Sequence, residues 1–201
     1  MNTRMKNVAL TILLFVAISN TKAQINQSSN TNSVEKSIYG FQTGFLGGWF
    51  YNEQRLFNSF SLRTELGFDA GFGGFVLETN NASVDNTWIL ALSAKAEPRW
   101  YYNFKKRTRK GRTTRGNTGN FVAFRVGAVF EDAFISNADN ISLPYQLRLI
   151  PTWGIRRQLG SYFNYELGIG LGSRRVFDRR FEKWEGALNL HIRIGLDFSR
   201  K

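Results

Sequence analysis

Residues 188–198 read LNLHIRIGLDF and alternate without a break. Leu188, Leu190, Ile192, Ile194, Leu196 and Phe198 share one face, while Asn189, His191, Arg193, Gly195 and Asp197 share the other. A period of two marks a strand, because successive side chains leave an extended backbone on opposite sides. The pattern recurs upstream. In 59–69, Phe60, Leu62, Thr64, Leu66 and Phe68 oppose Ser61, Arg63, Glu65, Gly67 and Asp69. In 88–104, the face from Leu90 and Leu92 to Trp100, Tyr102 and Phe104 opposes Ser93, Lys95, Glu97, Arg99 and Tyr101. In 121–130, Val122, Phe124, Val126, Ala128 and Phe130 oppose Ala123, Arg125, Gly127 and Val129. In 143–155, Leu143, Tyr145, Leu147, Leu149 and Trp153 oppose Gln146, Arg148 and Thr152. In 162–172, Phe163, Tyr165, Leu167, Ile169 and Leu171 oppose Asn164, Glu166, Gly168 and Gly170. The Gly-rich segment 38–51 carries Tyr39, Phe41, Phe45, Trp49 and Tyr51 on one side. No comparable stretch after Ser37 keeps a helical period, so the chain is expected to be all-β.

The direction of each face decides the class. In a soluble sandwich or lipocalin-like barrel the apolar faces meet in a core. In a membrane barrel they touch lipid, and the polar faces line the interior. Strands of about eleven residues or more suit a tilted membrane crossing. Aromatic residues gather at strand ends (Trp49, Phe50 and Tyr51; Trp100, Tyr101 and Tyr102; Trp153; Tyr162, Phe163 and Tyr165), as in interfacial girdles. The polar faces carry both signs in near balance: Arg63, Lys95, Arg99, Arg125, Arg148 and Arg193 against Glu65, Asp69, Glu97, Glu166 and Asp197. Together with His191 they form the expected interior charge network, since charges shut in a narrow lumen must pair. The expectation is an antiparallel up-and-down transmembrane β-barrel over 37–201. A soluble secreted sandwich or lipocalin-like barrel is the alternative.

Seven strands are read directly, and an even number is expected of a bacterial single-chain barrel. Gly73–Glu78, set off by a turn at Asp69-Ala70-Gly71, is the candidate eighth. Counted back from a periplasmic C-terminus, Arg156–Gly160 becomes a tight periplasmic turn. The segments 52–58, 79–87, 131–142 and 174–185 then face outward, and 105–118 lies on the periplasmic side.

The N-terminus reads as an address. Arg4 and Lys6 precede the apolar run Val8–Ile18, and Thr21-Lys22-Ala23 supplies small residues before a cut at Gln24. That is the layout of a signal peptide over 1–23, and the run is too short to span as a helix. Residues 24–36, without aromatics, are expected to be a flexible periplasmic lead-in. The 201 residues carry 27 Lys plus Arg against 15 Asp plus Glu, a net charge of +12 and a pI near 10.3. Export turns that charge away from nucleic acid and toward anionic lipid or cell-wall polymer. With no Cys and one His, disulfide scaffolds, Cys-ligated metals, thiol catalysis and multi-histidine sites are excluded. Mean hydropathy of −0.30 excludes a bundle of membrane helices but not a barrel.

An exported chain of this size, with about eight alternating strands and the terminal strand 188–198, resembles the small OmpA/OmpX-type outer-membrane β-barrels. Glu97-Pro-Arg-Trp-Tyr-Tyr-Asn103 and Pro151-Thr-Trp-Gly-Ile-Arg-Arg157 are further similar to uncharacterised barrels of Bacteroidota. The resemblance implies fold and an outer-membrane location, insertion by the barrel-assembly machinery, and no activity.

Little chemistry rides on this frame. Lys105, Lys106, Arg107, Arg109, Lys110, Arg112 and Arg115 place seven cations and no acid in one turn. That turn is either simply solvated or a contact for anionic headgroups or cell-wall material. Gly168-Ile-Gly-Leu-Gly172 has G-x-G-x-G spacing with no helix after it, so it fails as a phosphate loop. Inward glycines there are expected to make room for long Arg side chains. His191 has neither Ser nor Asp two places away, so a satisfied interior histidine is expected rather than a hydrolase base. Residues Arg174–Trp184 mix basic and aromatic groups suited to phosphorylated glycolipid. The leading expectation is a non-enzymatic monomer without cofactor or metal, its interior filled by side chains, serving envelope integrity or surface contact. A lipid-modifying enzyme and a narrow solute channel are the rivals.

Overall fold

The computed structural model describes residues 33–72, 88–137, 141–178 and 182–198. The signal-peptide reading of 1–23, most of the lead-in and the candidate strand Gly73–Glu78 lie outside the described residues.

Eight strands form: β1 (Ser37–Gly44), β2 (Gly47–Phe57), β3 (Phe60–Phe72), β4 (Trp88–Trp100), β5 (Gly119–Ser136), β6 (Tyr145–Leu159), β7 (Phe163–Phe177) and β8 (Glu182–Asp197). Each pairs antiparallel with its neighbour in sequence, and β1 meets β8 from Gly40↔Asp197 to Gly44↔Arg193. The sheet closes into an up-and-down barrel, which removes every edge along the paired stretch.

The eighth strand comes from a different place than expected. Segment 38–51, read as one strand, is the β1–β2 hairpin, turning at Phe45–Leu46 between the paired Gly44 and Gly47. Gly47 has φ +134°, and a Cβ there would sit 2.0 Å from the Phe68 carbonyl oxygen. The two-residue turn sets even-numbered residues of β1 opposite odd-numbered residues of β2, so Trp49 faces Gln42 and Tyr51 faces Gly40. Trp49 and Tyr51 therefore point inward and are buried, and only Phe50 of that trio joins the outer surface.

This hairpin also reassigns the ends. The start of β1, the end of β8, the β2–β3 turn and the connections 101–118 and 160–162 share one end, the termini end. β1–β2, β5–β6 and β7–β8 connect at the opposite, far end, where β3 also stops and β4 starts. Thus 52–58, expected beside 131–142 and 174–185, belongs instead to β2 and the turn at the termini end. Asp69-Ala70-Gly71 is no turn but the last part of β3. Arg156–Leu159 continues β6, and the turn begins at Gly160, with φ +63°.

Burial follows the alternation in inverted order. On β8, Ile192 is 68% exposed while its neighbours His191 and Arg193 are 7% and 2% exposed. Leu188, Leu190 and Ile194 on β8, with Leu167, Ile169 and Leu171 on β7, are likewise exposed, whereas Asn189, Glu166 and Asn164 are buried. Rings line both borders of this aliphatic surface. Tyr39, Phe57, Phe60, Trp100, Tyr102 and Phe163 are exposed toward the termini end, and Phe68, Trp88 and Trp184 toward the far end.

Among the described residues, apolar clusters occupy the inside near the two ends. At the termini end Val34, Tyr101, Phe104, Phe121 and Ala123 pack together. Toward the far end Ile89, Ala91, Val129 and Leu143 pack with Phe134 and Ile141. Leu143 and Phe130, expected on the outer face, are buried, Phe130 beside the slip in β4–β5 register between Ala91 and Ser93.

The long connection after β4 has its own structure. Strand 88–104 ends at Trp100, and a short helix α1 (Phe104–Arg109) and a 3-10 turn at Arg115–Asn117 follow. Phe104 drops from α1 into the termini-end cluster, its ring 4.9 Å from that of Tyr101. Gly116 and Asn117 take left-handed φ of +59° and +57° and are buried. The incoming chain crosses the same mouth: the Glu35 backbone N–H donates to Asn117 Oδ1 at 2.7 Å, and Arg55 Nε donates to the Val34 carbonyl at 2.6 Å.

Candidate functional site

Between the two apolar clusters the lumen is ionic. All the residues named for the charge network face it: Arg63, Glu65, Asp69, Lys95, Glu97, Arg99, Arg125, Glu166, His191, Arg193 and Asp197 are buried, and Arg148 is mostly so. The structure adds Glu53 from β2 and Arg156 from β6, both fully buried. Together these named residues are seven cations and six carboxylates.

Three carboxylate centres order the network along the axis. Near the termini end, Asp197 Oδ1 accepts from Arg156 Nη2 at 2.8 Å and Asn164 Nδ2 at 2.7 Å, and from the Tyr51 hydroxyl. Beside it, Glu53 Oε1 accepts from Ser61, Asn117 and Tyr101 at 2.7, 2.8 and 2.9 Å. Glu53 therefore ties the wall to the plug made by 101–118.

In the middle, Arg99 forks. Its Nη1 and Nη2 each donate to Glu166 at 2.9 Å, while Nε and Nη2 donate to Glu97 Oε2 at 2.9 and 2.6 Å. Glu97 also takes Arg125 Nε, and Arg125 Nη1 reaches Asn189 Oδ1 at 2.6 Å. Arg63 and Arg193 share Glu65, at 2.7 and 2.8 Å. Toward the far end, Asp69 accepts from Lys95 (2.5 Å), Trp49 Nε1 (2.8 Å), Ser93 (2.9 Å) and Arg148 (3.0 Å). Rings brace the cations: Arg63 lies 3.8 Å over Tyr51, and Lys95 and Arg193 each lie 4.2 Å from Trp49. Charge-assisted, partly bidentate bonds of this kind offset the cost of taking ions out of water.

His191 Nε2 sits 3.3 Å from Glu166 Oε1, and its Nδ1 lies 3.4 Å from Asn189 Oδ1. No hydroxyl nucleophile is bonded to it among the described residues, nor do these hold a cluster of metal-ligating side chains. Gly168 makes room for this ring rather than for an arginine: a Cβ there would stand 2.3 Å from His191 Cε1. Gly154 does the same for Phe121, at 2.4 Å.

Glu53 and Arg156 escaped the sequence reading for one reason, since both lie beyond the strand limits assigned to 38–51 and 143–155. Glu53 falls in phase with Trp49 and Tyr51 once β2 is extended. The signal for that extension was the glycine group at Gly44, Gly47 and Gly48.

Outside the lumen the two ends differ. At the termini end, Lys105, Lys106, Arg109, Lys110, Arg112 and Arg115 are largely exposed and meet no acidic side chain among the described residues. Arg107 Nε is held by the Thr113 carbonyl at 3.0 Å, and partial burial with Arg157 and Arg112 nearby pushes its guanidinium below the ordinary value. At the far end, three cations among the described residues of the β7–β8 hairpin pair locally: Arg174 with Glu185 (2.8 Å), Arg175 with Glu182 (2.7 Å) and Lys183 with Glu185 (2.6 Å).

Comparison with family models, with curated proteins and with solved structures finds no match to this chain.

Proposed function

We propose that the chain is a non-enzymatic barrel spanning the bacterial outer membrane, with a side-chain-filled lumen, serving envelope integrity or surface contact. The inverted burial carries this reading. A water-facing protein has no physical reason to seal paired arginines and glutamates inside while leaving a continuous aliphatic surface out. The height of that surface fits a bilayer: Leu188 to Phe198, at about 3.3 Å per residue and tilted by about 40°, rises roughly 25 Å, as a lipid-facing band does. The aromatic borders agree with interfacial girdles. The likeness to small OmpA/OmpX-type barrels and the export signal read at 1–23 point the same way.

Conduction has little room here. Eight strands enclose a space that side chains fill, and Arg63, Arg99, Arg156 and Arg193 are among the largest fully buried groups. The termini end is further closed by Phe104 and the turn at Gly116–Asn117. A lipid-modifying role would require a reactive group at the lipid surface, whereas His191 is turned into the lumen. Two measurements test the proposal. Cell fractionation should find the chain in the outer membrane as a heat-modifiable band. Planar-bilayer recording of the folded protein should show no steady conductance. A stable aqueous species without detergent, or a reproducible open channel, would overturn it.

A further inference from the structure

We infer that the basic connection at the termini end is a binding site for anionic phospholipid headgroups of the adjacent leaflet. This deepens the membrane reading above and rests on it. The segment's charge alone does not distinguish lipid from an anionic wall polymer; its position does. Tyr102 is exposed on the outer surface and its hydroxyl accepts from Trp153 Nε1 at 2.9 Å, while Trp100 stacks on Phe60 at 5.9 Å. These rings mark the border of the apolar surface. The first cations, Lys105 and Lys106, follow Tyr102 by three and four residues.

The segment is also held close to that border. Phe104 anchors α1 in the mouth of the barrel, and Asn117, bonded to Glu53, anchors the far side of the connection. A helix of this length spans about 9 Å. The headgroup layer of each leaflet is about 5–8 Å thick, half the difference between a whole bilayer and its hydrocarbon core. With the ring border at the edge of the hydrocarbon, cations that follow it by three or four residues would stand in the headgroup layer, where screening over about 8 Å leaves their attraction to phosphate effective. A polymer lying beyond the membrane would call for a basic group projecting away from the rings, whereas Arg112 of the connection lies near Arg157, itself beside Tyr102 of that border.

The cations are also free to bind. Six of them, Lys105, Lys106, Arg109, Lys110, Arg112 and Arg115, have no acidic partner among the described residues. Arg107 is pressed by Arg112 and Arg157 of the same sign. An arriving phosphate relieves that repulsion while displacing no internal ion pair.

The test folds the chain, and a variant with those six residues changed to Gln, into phosphatidylcholine vesicles. The vesicles contain a minor fraction of either brominated phosphatidylglycerol or brominated phosphatidylcholine, and tryptophan quenching reports which lipid collects at the barrel. The wild-type chain should enrich phosphatidylglycerol by about fivefold to thirtyfold at low salt, the equivalent of one to two cations per headgroup. Enrichment should fall at high salt and vanish in the variant, with both proteins equally heat-modifiable. Two folded proteins with no lipid preference would overturn this inference alone, and co-sedimentation of such a barrel with insoluble wall polymer would assign the cations to that partner. Failure of both proteins to enter the vesicles would overturn the membrane reading as well.

Discussion

Arg99→Met is the most informative single change in the lumen. It removes a guanidinium that makes four donor contacts, two to Glu166 and two to Glu97, with every partner fully buried. Glu97 keeps Arg125 as a direct partner. Among the described residues, Glu166 keeps looser ones: His191 at 3.3 Å, Arg156 at 3.6 Å and Arg63 at 3.7 Å. Stranding one member of a buried ion pair costs about 3–5 kcal/mol, whereas a solvated pair is worth about 0.2–1 kcal/mol. The two regimes separate cleanly. With a guanidinium slope of about 4 kcal/mol per molar, unfolding of the barrel in lipid vesicles should shift its midpoint down by about 1 M. Replacing Glu166 by Met in the same chain should recover part of the loss, because the uncompensated carboxylate is then gone. A shift below about 0.25 M would mean that water screens the pair, and the reasoning that makes the lumen dry and plugged would be refuted.

Three further outcomes follow from the geometry. Gly168→Val should destabilise the barrel by about 1–3 kcal/mol by driving a methyl group into the His191 ring, and His191→Ala in the same chain should relieve most of it; equal losses with and without His191 would show that the glycine serves another purpose. Phe104→Ala should cost about 3–5 kcal/mol and expose 101–118 to protease while the strands stay protected, as read by limited proteolysis. Ile192→Arg should cost about 2–4 kcal/mol in a bilayer, measured by reversible unfolding in vesicles, whereas a surface position in water would tolerate it within about 0.5 kcal/mol.

The strand class and the inversion were legible because alternation is a local signal, repeated wherever a strand has unlike faces. The charge network was legible for the same reason, since Arg63, Glu65, Lys95, Glu97 and Arg193 sit in phase within uninterrupted runs. The first hairpin was not, because alternation runs through Phe45 as if no turn were present. A two-residue turn exchanges the faces without breaking the apparent rhythm, so Trp49 and Tyr51 read as outward rings when they are inward braces for Lys95, Arg193 and Arg63. The plug was hidden for another reason. Phe104 continues the phase of Trp100 and Tyr102, and only the tertiary fit of the helix into the barrel mouth shows that it leaves the wall. Which carboxylate meets which arginine depends on pairing across the barrel, as with Arg99 and Glu166, and no single-strand pattern carries that information.

The chain has no cysteine, so single cysteines at Leu190, Ile192 and Ile194 can each carry one nitroxide without background. Collision rates in vesicles with dissolved oxygen and with a water-soluble nickel chelate then report the solvent of the outer face directly. High oxygen and low chelate accessibility at all three positions is the predicted result; free access of the chelate would mean that the aliphatic face meets water, contradicting a membrane-spanning barrel.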